Sequence, residues 1–138
     1  MNTHCQDLAR TTLEGAESEI FSGPEAGRRL MEAGFDGYAV DFRRATRIYY
    51  RPDGQSVEFK TEPPAVPVAP RFDVGQVKES IRQAQMMVPG YTYRGFCDQV
   101  VAAGCAGYLV SLLGKRVLYF GRTGGTHTEY FPGTRPAD

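Results

Sequence analysis

Sliding the chain by 70 residues lays it on itself. Ala33-Gly34-x-x-Gly37-Tyr38-x-Val40 falls on Ala103-Gly104-x-x-Gly107-Tyr108-x-Val110, and without a gap Tyr49 then lands on Tyr119 and Gly54 on Gly124. Seven of the 22 positions from 33 to 54 are identical, well above chance. Leu30 with Val100, Phe42 with Leu112, Ile48 with Leu118 and Tyr50 with Phe120 are conservative pairs. Past Gly54 a one-residue insertion pairs Val57-Glu58-Phe59 with Thr128-Glu129-Tyr130. Self-similarity at a fixed period constrains a fold more than composition does, because like units bury like faces.

Local signals repeat at the same offset. Thr3-x-x-Gln6 and Asp73-x-x-Gln76 are capping boxes, Ser22-x-x-Glu25 is a third, and Thr92 takes the N-cap role 70 residues after Ser22. Ala26, Leu30 and Ala33 in one copy, and Phe96, Val100 and Ala103 in the other, recur at helical spacing. Gly34 and Gly104 then stand where a helix ends in a left-handed residue. After each glycine the period changes to two. Tyr38, Val40 and Phe42 alternate with Ala39, Asp41 and Arg43, and after a turn at 44–46 Ile48 and Tyr50 continue the apolar face. Pro52-Asp53-Gly54 turns the chain, and Val57 and Phe59 mark a third strand. The second copy predicts strands over 107–113, 116–121 and 126–131, with turns at Gly114-Lys115 and Gly124-Gly125.

The fold class is therefore α+β: an internal duplication of a helix–helix–three-strand unit, as two antiparallel sheets or one pseudo-symmetric sheet. Repeat one spans 3–60, a stiff proline-rich linker 61–72, repeat two 73–131 and a tail 132–138, all within a single domain over 1–138. Neither half buries enough to stand alone. Eight Phe and eight Tyr fill the core in the absence of Trp.

Features of one copy only are the candidates for function. On the strand face opposite the apolar one, repeat one carries Ala39, Asp41, Arg43, Arg47, Tyr49, Arg51, Ser56, Glu58 and Lys60, which suits water. Repeat two carries Leu109, Ser111, Leu113, Val117, Tyr119, His127, Glu129 and Phe131, too apolar to lie bare without consequence. A covering element, a second subunit, or a partner or small-molecule ligand would explain it. His127 and Glu129, two apart on a strand, share a face, and Tyr119 on the neighbouring strand can join them. These three are the candidate catalytic residues for general acid–base chemistry. Against that role, Glu129 aligns with Glu58 and Tyr119 with Tyr49, which makes both architectural. His4, in the first helical turn, faces solvent.

The hairpin 43–51 mixes Arg43, Arg44, Arg47 and Arg51 with aromatics and could track a phosphate backbone. The charge balance argues otherwise. Sixteen basic residues offset sixteen acidic ones, and the hairpin lies in the half that carries −2 against +2 for the other. A solvated, salt-bridged edge is the simpler reading. No GxSxG, HExxH, GxxxxGK[ST] or helix-opening GxGxxG occurs, and no cofactor is implied. Cys5, Cys97 and Cys105 lack zinc spacing and read as small buried thiols; Met86-Met87 reads as core filler. The N-terminus lacks the pattern of a signal peptide and no run is long enough to span a membrane, so a cytoplasmic, soluble protein is expected.

Gly114-Lys115-Arg116-Val117-Leu118-Tyr119-Phe120-Gly121-Arg122, followed by His127-x-Glu129-Tyr130-Phe131-Pro132-Gly133, resembles the YbcV-like family of small bacterial and prophage-borne proteins. Tyr91-x-x-x-x-Phe96 and Ala103-Gly104-x-x-Gly107-Tyr108 are similar to it too. The resemblance implies a domain of unknown function with a phage-envelope label on some members, supplies no catalytic residues, and places His127, Glu129 and Tyr119 in a recurrent pattern. The expectation is a non-catalytic binding or accessory protein using the repeat-two face, with a small His127 enzyme and a nucleic-acid-binding hairpin as alternatives. Whether the chain is an enzyme stays open at this point.

Overall fold

The computed structural model describes residues 2–17 and 23–134. In chain order it holds α1 (Thr3–Glu17), α2 (Gly23–Glu32), β1 (Gly37–Asp41), β2 (Thr46–Tyr50), β3 (Ser56–Lys60), α3 (Val74–Gln85), α4 (Tyr93–Ala102), β4 (Cys105–Ser111), β5 (Arg116–Gly121) and β6 (Thr126–Tyr130). Helix starts follow side-chain acceptors. Asp73 accepts from the Gln76 N–H at 3.2 Å and Thr92 from the Gly95 N–H at 3.0 Å, as the caps predict. At α1 the cap is Asn2 instead of Thr3, because the Asn2 carboxamide accepts from the Cys5 N–H at 2.8 Å. The expected cap at Ser22 lies outside the described residues. Gly34 and Gly104 end their helices at φ +91° and +94°.

All six strands join one antiparallel sheet in the order β3-β2-β1-β4-β5-β6, so the two-sheet alternative is not the arrangement adopted. Its halves meet at β1 and β4, where Ala39 faces Leu109. Across that seam the Phe42 N–H donates to the Ala106 carbonyl and the Leu112 N–H to the Asp36 carbonyl, both at 2.9 Å. These bonds exchange under a shift of 70, which is the reciprocity of a twofold interface. The offset also holds through β6, since Tyr49 pairs with Val57 as Tyr119 pairs with His127. There is thus no insertion after Gly54. Glu58 on Glu129 was an attractive identity, but both hairpins close with the same bonds: Arg51 N–H to Gln55 O at 2.8 Å, and Gly121 N–H to Gly125 O at 2.9 Å. Glu129 therefore stands in the place of Phe59, and His127 in that of Val57.

The strand phase also differs from expectation. Turns 42–45 and 112–115 have four residues each, with Ala45 and Lys115 at φ +52° and +53°. A loop of even length makes Tyr38 face Tyr49, and Val40 face Arg47, so even positions of β1 share a side with odd positions of β2. Arg47 and Tyr49, expected in water, are 3% and 0% exposed, whereas Tyr50, expected inside, is 37% exposed. Likewise the strand expected over 107–113 ends at Ser111, because Leu112 and Leu113 belong to the turn.

The helices cover one face only. Ala9, Leu13, Leu30, Val77, Ile81, Phe96 and Val100 pack with Val40, Tyr49, Val110 and Tyr119. On this face one ring from each strand forms a row, Phe59–Tyr49–Tyr38–Tyr108–Tyr119–His127, with centroids 5.9, 5.4, 6.5, 5.4 and 6.4 Å apart. Such contacts add about 0.5–1.5 kcal/mol per pair beyond their burial. The linker is laid against α4: Ala65 N–H donates to Asp98 at 2.9 Å, Ala69 N–H to the Val101 carbonyl at 3.2 Å, and Val68 is buried. Over Gly34 lies the Arg51 guanidinium, which donates to the Ala33 carbonyl at 2.9 Å and to the Cys5 sulfur at 3.2 Å. The linker residues Arg71 and Phe72 occupy the corresponding space over Gly104. Met86 and Met87 are not core filler. Met86 is the C-cap of α3 and Met87 turns away at φ +47°, leaving them 65% and 60% exposed.

Candidate functional site

The eight residues expected on one face lie on two. Leu109 and Ser111 are on the side of the sheet away from the helices, where Leu109 is 44% exposed, and Leu113 projects from the turn. Val117, Tyr119, His127 and Glu129 are on the helix side, and Phe131 follows β6, half-buried against the core. The odd–even change across the four-residue turn is what divides them.

His127, Glu129 and Tyr119 do come together. His127 Nε2 lies 2.8 Å from Glu129 Oε2, and the imidazole stacks on the Tyr119 ring at 22° between planes. Burial drives the Tyr119 phenol well above its usual range, so it stays a neutral phenol. The His127–Glu129 pair sits on the edge strand β6, partly open to solvent. A shallow depression of about 520 Å³ lies between Phe72, Val74 and Thr126, and a polar cleft of about 170 Å³ lies between α3 and α4 beside Ser80, Gln99 and Thr92. Neither touches His127, Glu129 or Tyr119.

The feature that sequence reasoning missed is Arg47. From β2 its guanidinium runs under α4, where Nη2 donates to the hydroxyls of Tyr93 and Tyr108, the latter at 3.3 Å. The two hydroxyls are 2.7 Å apart. The guanidinium carbon lies 4.9 Å from the Tyr38 ring centroid and 5.4 Å from that of Tyr93. Among the described residues Arg47 enters no ion pair, and its Nε is buried without a hydrogen-bond partner. Burial pushes the phenols of Tyr38, Tyr93 and Tyr108 up, so ring faces and neutral hydroxyls, with no carboxylate, meet the charge. The cluster occurs once: a shift of 70 puts Val117 at Arg47 and Gly23 at Tyr93. That exchange was readable as an asymmetry between copies, but an arginine in an alternating strand reads as solvent-facing.

Arg47 and Arg51 both point to the helices, so the hairpin presents only Arg43 and Arg44 to water. That overturns the four-arginine nucleic-acid surface. Cys5, Cys97 and Cys105 are free thiols, and burial pushes Cys97 and Cys105 up to about 11, far from nucleophilic at neutral pH. Among the described residues no three His, Cys, Asp or Glu side chains gather as metal ligands, and no helix is long and apolar enough to cross a membrane.

The side of the sheet away from the helices carries the remaining candidate. A single cross-strand row runs Glu58–Ile48–Ala39–Leu109–Leu118–Thr128, its four central members apolar. Tyr50, Arg116 and Tyr130 lie in the next row, where the Arg116 guanidinium sits 4.7 Å from the Tyr130 ring centroid. Thr46, paired between Asp41 and Lys60, is buried at the far end.

No curated protein matches the chain. A family model described as "Protein of unknown function (DUF1398)" matches residues 30–128, from the end of α2 into β6, and so takes in Arg47, Tyr93, Tyr108 and the central apolar row. Most of the chain being covered, the protein belongs to this family of unknown function, DUF1398.

Proposed function

We propose that the chain is a non-catalytic binding or accessory protein whose open sheet face receives a partner. The observation that carries this is the uncovered row Ile48–Ala39–Leu109–Leu118 on a sheet whose helices all pack on the opposite side. A sheet with one apolar face against helices and a second apolar stripe in water has a surface left to bury. The site is thus the centre of the whole sheet instead of the repeat-two face; Leu109 and Ser111 keep their place in it, whereas Val117, Tyr119, His127 and Glu129 leave it. The acid–base reading has its His127–Glu129 contact, but neither the depression beside Phe72 nor the cleft between α3 and α4 is lined by that pair. A bacterial or phage setting for the partner rests on the resemblance to YbcV-like proteins alone.

We also infer that 3–60 and 73–131 arose by duplication and fold as one unit. The constant 70-residue offset of hairpins, helix-ending glycines and seam bonds supports this. Leu109→Asp with Leu118→Asp tests the binding reading: the fold persists by circular dichroism, while self-association and capture of partners are lost. If neither changes, the reading fails.

A further inference from the structure

We propose that the occupant of the open face is a second copy of this chain, seated face to face. This rests on the reading of that face as the binding surface. Its charges are Asp41, Glu58, Lys60 and Arg116, two of each sign, all outside the apolar centre. A neutral face does not repel its own copy and offers no net charge to select an acidic or basic partner. An apolar centre with a charged rim is also the anatomy of a specific interface.

Shape agrees. Turning one copy over about an axis along the strands lays β2 on the partner's β5 and β1 on its β4. Ile48 then meets Leu118, and the protruding Leu109 meets the short Ala39 of the other copy. Tyr50 meets Arg116, a cation over an aromatic face. The match at the centre survives the roughly 30° rotation of aligned sheets, because Ala39 and Leu109 lie at the middle of the six strands. Six strands at about 4.8 Å and five residues at about 3.4 Å give a face of roughly 29 by 17 Å. Pairing two such faces removes about 1,000 Å² from water, the lower bound for a specific dimer.

Sedimentation velocity from about 1 to 100 µM, with circular dichroism for folding, tests this. The full chain is expected at twice its 15.3 kDa mass at the upper end. Leu109→Asp, which puts a carboxylate at the centre, is expected to weaken association at least about 100-fold. Ala39→Leu fills the recess that receives Leu109 and is expected to weaken it at least about tenfold, with the monomer still folded. A chain monomeric at every concentration overturns the second-copy occupant while the capture assay still judges the open-face reading. A dimer that persists unchanged in Leu109→Asp overturns both, and one that ignores Ala39→Leu overturns the face-to-face arrangement.

Discussion

Replacing Arg47 by Met isolates the energetics of a buried charge that enters no ion pair among the described residues. Among the described residues the guanidinium, 3% exposed, bonds to two phenol hydroxyls and leaves Nε unmatched. Desolvating it is therefore repaid by ring faces and neutral acceptors alone. Methionine keeps the methylene path and a sulfur contact to Tyr38, and the Tyr93 and Tyr108 hydroxyls remain paired to each other at 2.7 Å. Replacing buried ionic groups by apolar ones of similar volume is neutral or stabilising by about 1–4 kcal/mol. Losing the charge-assisted hydrogen bonds offsets part of that, about 1.5–3 kcal/mol. Set against each other, the two ranges leave a net effect within about 2 kcal/mol of zero, a shift in Tm of at most several degrees for a domain of this size. Urea unfolding followed by circular dichroism, with an unchanged m-value, measures it. Arg47→Ala, which leaves a cavity instead, is expected to lose about 2–4 kcal/mol. A loss above about 2 kcal/mol in Arg47→Met would refute the reasoning, because the guanidinium would then be a net contributor to stability.

Other substitutions probe the fold. Gly104 and Gly124 both have positive φ, but a Cβ on Gly104 falls 1.9 Å from the Arg71 carbonyl oxygen while one on Gly124 meets nothing within 4 Å. Gly124→Ala is thus expected to cost about 1–2 kcal/mol from backbone strain, and Gly104→Ala clearly more; equal losses in thermal melts would remove the linker from that seat. Thr92→Ala removes the acceptor of the Gly95 N–H and is expected to cost about 1 kcal/mol, with no loss counting against the cap. Burial holds the Cys97 and Cys105 thiols protonated to about 11 against an ordinary value of 9.0. From pH 9 to 11 the unfolded chain releases protons that the folded one keeps, so stability is full below pH 9 and falls through that window. Cys105→Ala is expected to flatten the slope, and an unchanged slope would exclude the thiol as its source. Residues 1–70 alone leave β1 as an open edge and are expected to lack a cooperative melt; a sharp one would show that the half suffices.

The architecture was legible where local chemistry acts alone. Asp73 and Thr92 cap because a carboxylate or hydroxyl three residues before an orphan N–H has one obvious partner, and Gly34 and Gly104 end helices because φ is positive there. Side-chain direction across a turn was not legible. It depends on whether the loop has an odd or even number of residues, and Arg44-Ala45-Thr46 does not announce that Ala45 takes the left-handed position closing a four-residue turn. One misjudged residue in the turn of repeat one moves Ile48 and Tyr50 inside and Arg47 and Tyr49 outside, and carrying that phase across by 70 residues merges the two faces of repeat two. The His127–Glu129 contact was legible because same-strand spacing needs no turn. The Arg47 cluster was hidden because Tyr93 and Tyr108 reach it from elements 46 and 61 residues away.

Solvent paramagnetic relaxation of side-chain methyls, read against protein concentration, tests the open face most directly. Leu112, 1% exposed, serves as the buried reference and Leu113, 69% exposed, as the free one. At low concentration the methyls of Leu109, Leu118 and Ile48 are expected to relax well above the Leu112 reference. As concentration rises they are expected to approach the protection of Leu112 while Leu113 stays exposed. Protection of Leu109 and Leu118 already complete in the dilute chain, or absent at every concentration and with every captured partner, would contradict a binding face there.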